Sequence, residues 1–368
     1  MKKYVTLGEV CTKGSSNIAQ KDIEQNNGSY GIYGASGYIK DVDFYHQDKP
    51  YIAVVKDGAG IGRTMLLPEK TSVIGTMQYL IPKDNVCVEY LYYAVTYMNL
   101  AKYFSGATIP HIYFKDYQKE KLPLLTIEEQ RKIADNLRKI DRLIELCSGI
   151  LQKLDVLVKS RFVEMFGEPV SNTMNWDTVQ LGELTTKIGS GATPKGGRES
   201  YGTEGISLIR SMNVHNGYFE YKDLAHISDE QAKKLDNVTV HGKDVLLNIT
   251  GASVARCCIV PNHVLPARVN QHVCIIRCKA NISPVFLCCV LTDENYQNHL
   301  WNIAGSGATR EAITKQQVEN LSIIVPPLAL QEQFAAFVEQ TDKSKLAVKQ
   351  VLEKAETLKK ALMQEYFG

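Results

Sequence analysis

The chain has 368 residues, with 42 Lys and Arg against 40 Asp and Glu and a formal net charge of +2. Hydrophobic residues make up 44% and charged residues 22%, which is typical of a folded chain and excludes wholesale disorder. The length exceeds what one hydrophobic core usually supports, so we expect at least two domains. We also expect a cytoplasmic protein, because no apolar run is long enough to cross a membrane and no signal peptide follows Met1.

Residues 1–125 are predicted to form a first domain of strands and long loops. The apolar run at residues 51–56 predicts a buried strand, and residues 75–81 predict another. Between them, Thr64–Leu67 is expected to return as a strand, and residues 88–98 are expected to form a short helix. This mixture predicts a β-rich α+β domain.

Residues 126–168 are predicted to form one long helix. Thr126 and Glu129 make a capping box at its start, and apolar residues then follow the a and d positions of about four heptads. The residues expected to pack against another helix are Leu137, Ile140, Ile144, Leu151, Leu154 and Val158. A flanking apolar stripe widens this face beyond the need of a two-stranded coil: Leu143, Ile150 and Leu157.

Residues 169–325 are predicted to form a second β-rich domain, and residues 326–368 a second long helix. Strands are expected at residues 244–249 and at Val273–Cys278, with a helix at 284–291. The expected packing positions of the last helix are Val348, Val351, Ala355, Leu358 and Leu362. Because a domain separates the two long helices, we expect them to pair antiparallel, although each could instead lie on its own domain.

Short motifs recur in the same order in both halves, which predicts an internal duplication. The paired motifs are Leu7-Gly8-Glu9 with Leu181-Gly182-Glu183, Gly58-Ala59 with Gly251-Ala252, Gln78 with Gln271, residues 105–108 with 306–309, Glu129-Gln130 with Glu332-Gln333, and Phe166-Gly167 with Phe367-Gly368. The predicted fold is therefore α+β, with two β-rich mixed domains joined by two long antiparallel coiled-coil helices in a pseudo-twofold internal repeat.

Two features suggest cofactor or metal chemistry, and each has a plainer interpretation. The glycine-rich residues 58–63 resemble a dinucleotide loop, but Arg63 stands where the third glycine belongs, and a strand is expected to follow. The second domain offers His272 and six cysteines as zinc ligands, whereas the first carries mostly core-forming residues at the matched places. The nine cysteines have no disulfide spacing, so we expect reduced, buried thiols and no metal site. The signature motifs of nucleotide-binding loops, zinc proteases and serine hydrolases are absent, so we expect no catalytic residue.

Basic residues beside glycine and aromatic residues in the loops are the candidate DNA contacts. Arg and Lys bind phosphates, and Arg also bonds guanine in the major groove. The candidates are Lys56, Arg63, His111, Lys115, Lys195, Arg198, Arg210, Arg256, Arg268, Arg310 and Lys315. For any single one of them, a solvated surface charge is the competing interpretation.

Motifs near the domain ends and along the helices occur in a fixed order. In the first half they are residues 106–112, 122–124, 129–130, 140–141, 159–160 and 164–167. In the second half they are Trp176 and residues 181–183, 189–194, 308–313, 326–327 and 331–333. This order, over essentially the full length, resembles the specificity subunit of type I restriction–modification systems. It also fits specificity subunits of related type II systems.

The resemblance implies a non-catalytic subunit without a cofactor of its own. Each target-recognition domain would read one half of a split double-stranded DNA target, and the helices would set the unspecified spacer. Two methyltransferase subunits using S-adenosylmethionine would dock at the helices, and restriction subunits would supply cleavage driven by ATP and Mg²⁺. A two-headed adaptor that binds proteins instead of nucleic acid is the alternative interpretation.

Overall fold

The chain divides into two compact units in the computed structural model. The first unit contains Met1–Ile150 and Val348–Gly368, and the second contains Leu151–Ala347. The structure describes residues 3–106, 110–194, 197, 201–305 and 311–368. Among the helices of these ranges, none has both the length and the apolar character that a membrane span requires.

The elements of the first unit are mostly strands. They are β1 (Tyr4–Thr6), β2 (Cys11–Ser15), β3 (Tyr30–Gly34), β4 (Gly37–Val42), β5 (Tyr51–Val55), β6 (Thr64–Leu67), β7 (Ser72–Val73), β8 (Met77–Pro82) and β9 (Lys121–Pro123). The helices are α1 (Leu7–Val10), α2 (Val88–Tyr97), α3 (Phe114–Tyr117), the first part of α4 (Ile127–Phe166), whose remainder belongs to the second unit, and the last part of α9 (Leu328–Phe367). The predictions for strands near residues 51–56 and 75–81 and for a helix near 88–98 are thus confirmed.

A four-stranded antiparallel sheet in the order β2-β8-β5-β6 forms the centre of the first unit. Strand β5 is buried throughout because it lies between β8 and β6 and both of its faces are covered. Ile52 and Val54 face a core that includes α2, while Tyr51 and Val55 face a second cluster on the opposite side. A smaller sheet, β4-β3-β7, and the β1-β9 pair complete the unit.

The second unit repeats this plan with more elements. Its strands are β10 (Thr178–Gln180), β11 (Thr185–Ser190), β12 (Ile206–Ile209), β13 (Val214–His215), β14 (Tyr218–Phe219), β15 (Ala225–Ile227), β16 (Thr239–Val240), β17 (Val245–Asn248), β18 (Cys257–Ile259), β19 (Ala267–Val269), β20 (Val273–Cys278) and β21 (Ser322–Ile324). Its helices are α5 (Asp229–Lys233), α6 (Pro284–Thr292), α7 (Glu294–Gly305), α8 (Lys315–Glu319) and part of α9 (Leu328–Phe367). The central sheet is β11-β20-β17-β18, and the second sheet is β15-β12-β19-β16.

Equivalent hydrogen bonds in the two units confirm the duplication. The backbone N–H of Leu7 donates to Glu120, and that of Leu181 donates to Leu321, both at 2.8 Å. A fully buried glutamine anchors each long helix to its domain. The Gln130 side-chain oxygen accepts from the N–H of Cys87 at 2.8 Å, and that of Gln331 accepts from Ser283 at 2.9 Å. Each glutamine satisfies backbone groups that would otherwise be buried without partners.

These bonds correct two of the sequence pairings. The equivalent of Gln130 is Gln331, so pairing Glu129-Gln130 with Glu332-Gln333 is wrong by two residues. Strand register likewise makes Leu80 equivalent to Ile276, since each pairs with the central strand at Ile52 and Val245. Gln78 is therefore equivalent to Cys274, not to Gln271. Identical residue types had been matched across insertions that only the register reveals.

The two long helices pair antiparallel within each unit. In the first unit, Lys359 Nζ lies 2.5 Å from Asp141 Oδ1. In the second, Lys345 Nζ lies 2.8 Å from Asp155 Oδ1, and Phe334 packs on Phe166 with ring centroids 5.5 Å apart. Antiparallel order follows because residue numbers rise along one helix as they fall along the other.

The predicted packing positions of α4 lie on its inner face, but two of those on α9 do not. Leu137 and Ala355 are buried, and seven further predicted positions are partly buried: Ile140, Ile144, Leu151, Leu154, Val158, Val348 and Leu362. Val351 and Leu358 are 44% and 51% exposed, so placing them in the seam is wrong. The seam instead uses Leu352 and Lys359, one residue further along. A heptad assigned from apolar residues alone misses this register, because one of its seam positions is Lys359, which is held there by an ion pair.

Candidate nucleic-acid interface

Two segments of the first unit form what we call the first loop surface, residues 56–63 and 110–115. The first segment follows β5, and a bridge between Asp57 and His111 joins it to the second. The N–H of Gly58 donates to Pro110 at 2.9 Å, and the N–H of Ile112 donates to Lys56 at 3.0 Å. Because residues 58–62 connect the antiparallel strands β5 and β6, this glycine-rich turn lacks the strand-to-helix context of a dinucleotide loop.

Charged and aromatic side chains cluster on the first loop surface. His111 Nδ1 contacts the carboxylate of Asp57, and Lys56 Nζ lies 3.7 Å from the same carboxylate. The His111 ring also packs on Tyr113, with centroids 4.1 Å apart, and Lys115 Nζ lies 5.2 Å from the Tyr113 ring centroid. Partial burial and Lys56 lower the pKa of His111 below 6.5, while the adjacent Asp57 carboxylate favours the protonated ring.

Arg63 stands at the end of this loop with its guanidinium held against backbone. Its Nη1 donates to the Ala35 carbonyl at 3.0 Å. A Cβ at Gly60 would lie 2.9 Å from its Nη2, so the absence of a side chain at Gly60 makes room for the guanidinium. The side chain remains exposed. Arg63 is thus positioned yet still available to a ligand.

The second unit builds an equivalent surface, which we call the second loop surface, from residues 249–256 and 311–315. Thr250 and Ala312 form the matching bridge, and the N–H of Gly251 donates to Glu311 at 2.9 Å. Thr250 Oγ1 hydrogen-bonds with His272 Nδ1. Arg256 occupies the position equivalent to Arg63, directly before the strand β18. The same backbone arrangement therefore presents a second set of polar groups.

Two predicted contacts lie at the second sheet of that unit, Arg268 within β19 and Arg210 directly after β12. Arg210 lies 5.4 Å from the Tyr201 ring centroid and donates to the Asp223 carbonyl. Arg268 is 8% exposed, and its guanidinium bonds Asp236 at 2.7 Å and the carbonyl of Ala232 at 3.2 Å. A buried and fully paired arginine holds a domain together, so the structure does not support Arg268 as a DNA contact.

The other predicted contacts fall into two groups. Lys315 is exposed at the start of α8, 3.4 Å from Glu319. Lys195, Arg198 and Arg310 lie outside the described residues.

The structure adds three polar residues that the sequence analysis did not assign to DNA binding: Asp57, Thr250 and His272. Of these, only His272 had been considered, as a zinc ligand. Asp57 contacts His111, and Thr250 contacts His272. The register of the duplicated strands is the signal that would have grouped them.

The cysteines of the second unit pack as small apolar side chains. Six lie at or beside its core: Cys257, Cys258, Cys274, Cys278, Cys288 and Cys289. Burial raises the pKa of the Cys274 and Cys278 thiols to about 12, which disfavours the thiolate that binds metal. Within the described ranges, no three His, Cys, Asp or Glu residues are grouped to hold a metal ion.

A duplicated α+β module with an arginine at the end of equivalent loops defines the chain as a tandem-repeat protein. A profile of the type I restriction modification DNA specificity domain matches residues 2–156 and 174–357, so the chain belongs to that family.

Curated relatives agree with this assignment, and a solved structure has a similar fold. The chain is 26% identical over 284 residues to the type I restriction enzyme MjaIX specificity subunit of Methanocaldococcus jannaschii, covering 71% of this chain and 63% of that relative. It is 22% identical over 328 residues to the MjaVIII specificity subunit of the same organism, covering 85% and 77%. The fold resembles the S subunit of a type I restriction–modification system from M. genitalium, with a TM-score of 0.70, 16% identity and coverage of 100% and 96%.

Proposed function

We propose that the chain is the DNA-recognition subunit of a type I restriction–modification complex. The observation that carries this proposal is the specificity-domain profile, which matches each half of the duplicated chain separately. Each unit would read one half of a bipartite duplex target with its own loop surface. The two 40-residue helices would set the unspecified spacer between the halves.

The chain itself would be non-catalytic and would act through partners. Exposed apolar side chains on the long helices support docking of two methyltransferase subunits. In the first unit these are Leu143, Leu146, Ile150, Val351 and Leu358, and in the second they are Val156, Leu157, Val163 and Leu346. S-adenosylmethionine would bind to those partners, and ATP and Mg²⁺ to the restriction subunits. A chromosomal DNA substrate would place the complex in the cytoplasm.

Mapping methylated adenines in the host genome, with and without this gene, tests the proposal. We expect a bipartite methylated sequence that disappears with the gene and returns when the gene is restored. Exchanging residues 170–325 for the same segment of another specificity subunit should change one half of that sequence and keep the other. A methylation pattern that does not depend on the gene would contradict the proposal.

A further inference from the structure

The two loop surfaces have equivalent backbone hydrogen bonds, and we call this common arrangement the backbone frame. The bond from Gly58 to Pro110 recurs from Gly251 to Glu311, and both measure 2.9 Å. The bond from Ile112 to Lys56, at 3.0 Å, recurs from Ile313 to Ile249 at 2.8 Å. Side chains at equivalent positions of the two units can therefore be compared directly.

The polar pair on this frame differs between the units. In the first unit, Asp57 contacts an imidazole supplied by residue 111. In the second, Thr250 takes the place of Asp57, Ala312 takes the place of His111, and the imidazole comes from His272. The residue of the first unit that is equivalent to His272 is Thr76. The backbone carbonyl of Thr76 accepts from the N–H of Lys56, as the carbonyl of His272 accepts from the N–H of Ile249. Each unit keeps one imidazole in the pair but takes it from a different neighbouring segment.

Packing within the unit does not explain this exchange. The Asp57 and His111 side chains are 27% and 26% exposed, and Thr250 and His272 are partly exposed as well. The buried flanks keep their apolar character, with Val54 equivalent to Leu247 and Ile112 equivalent to Ile313. The exchanged side chains therefore lie on the accessible side of a retained backbone, where a ligand can reach them.

An arginine is the feature that both surfaces share. Arg63 and Arg256 end equivalent loops, and each donates its backbone N–H three residues back, to Gly60 and to Ser253. The phosphate backbone is the same in every half-site, whereas base edges differ. A shared cation therefore suits phosphate, and the differing pairs suit bases. A carboxylate can accept from the donors of the major groove, and imidazole and hydroxyl groups can bond its donors or its acceptors.

We propose that Asp57 with His111, and Thr250 with His272, are the specificity-determining residues of the first and second units, while Arg63 and Arg256 contact phosphate. This inference rests on the proposed function. Its test needs readouts that separate base preference from overall binding.

Base preference is measured with the complex purified through a tag on this chain and a library of duplexes with randomised sequence. We expect His111→Ala and Asp57→Asn to relax preference in one half-site by about 10- to 100-fold. Thr250→Val and His272→Ala should do so in the other half-site. Arg63→Gln and Arg256→Gln should weaken binding to all duplexes alike and lower the log–log salt slope by about one each.

The outcomes separate this inference from the proposed function. A wild-type complex that selects no sequence overturns both. If the wild type selects a bipartite sequence and the near-isosteric Asp57→Asn variant, with a wild-type melting curve, selects the same one, the pair does not read bases. A change in both half-sites, or an equal loss for all duplexes, also contradicts it. A change confined to one half-site, with the arginine variants uniform, supports it.

Discussion

Each unit has its own central sheet, and the two sheets are equivalent, but the structure around them differs. In the first unit the second sheet has three strands, β4-β3-β7. In the second unit it has four strands, and the β13-β14 hairpin and the helix α5 are present as well. The central sheets and the buried glutamines are nevertheless equivalent. The duplicated module thus tolerates additions at its second sheet while its central sheet and helix anchor are retained.

The position of Tyr51 and its equivalent in the second unit are also stabilised by different interactions. Tyr51 in the first unit is buried, packs on Tyr79 with ring centroids 5.0 Å apart, and accepts from Thr71 at 3.0 Å. Its equivalent in the second unit is Asp244, also buried, whose carboxylate bonds Arg277 at 2.8 Å through two nitrogens. The second unit therefore relies on a charged pair where the first uses aromatic packing.

The largest expected effect separates the ends of the two long helices. Phe166 is fully buried against Phe286 and Phe334, whereas its equivalent Phe367 is 6% exposed one residue before the end of the chain. We expect Phe166→Ala to lower the free energy of unfolding by about 3–5 kcal/mol. Phe367→Ala should cost less, because the Phe367 ring is less completely buried and its nearest ring partner, Tyr90, lies 5.2 Å away between centroids, against 4.8 Å for Phe166 and Phe286.

Urea unfolding can assign these losses to a unit. Both tryptophans, Trp176 and Trp301, lie in the second unit, so their fluorescence reports its unfolding, while circular dichroism reports both units. Phe104→Ala serves as the control because Phe104 is 56% exposed. A larger loss for Phe367→Ala than for Phe166→Ala would contradict the comparison.

An intermediate effect is expected at the equivalent positions Asp244 and Tyr51. Asp244→Asn should destabilise the second unit by about 2–3 kcal/mol, because it leaves Arg277 without its carboxylate partner. Tyr51→Phe in the first unit removes only the hydrogen bond with Thr71 and should cost about 1 kcal/mol. Equal losses in urea unfolding would show that the two solutions are energetically alike.

The smallest effect tests the register of α9. Leu352 lies in the seam and is partly buried, while its neighbour Val351 is 44% exposed. We expect Leu352→Ala to cost about 1–2 kcal/mol and Val351→Ala less than about 0.5 kcal/mol. The reverse order in thermal or urea unfolding would restore the heptad predicted from the sequence.

Much of the fold followed from local patterns in the sequence. The strand Val273–Cys278 was predicted to the residue because a continuous apolar run marks a strand buried on both faces. The start of α4 followed from Thr126 and Glu129, whose two capping bonds the structure shows at 2.9 Å and 3.3 Å. Patterns of this kind need only neighbouring residues.

The candidate site was harder to predict because its residues are joined by tertiary contacts. Arg268 was predicted to contact DNA because of its charge. In the structure it pairs instead with Asp236, which is distant in the chain. His272 pairs with Thr250 only because strand register brings the two segments together. The predicted seam of α9 was wrong for the same reason, because lysines in the observed seam are held by aspartates of the other helix.

The ion pairs of the long helices limit how their lengths can evolve. Asp141 and Asp155 are spaced as Lys359 and Lys345 are, two heptads in each helix, so that partner numbers total 500 in both units. A residue gained between the aspartates, with none gained between the lysines, would put one of the two pairs out of step. Insertions of equal length in both helices would keep both ion pairs, so the two helix lengths are coupled through these contacts.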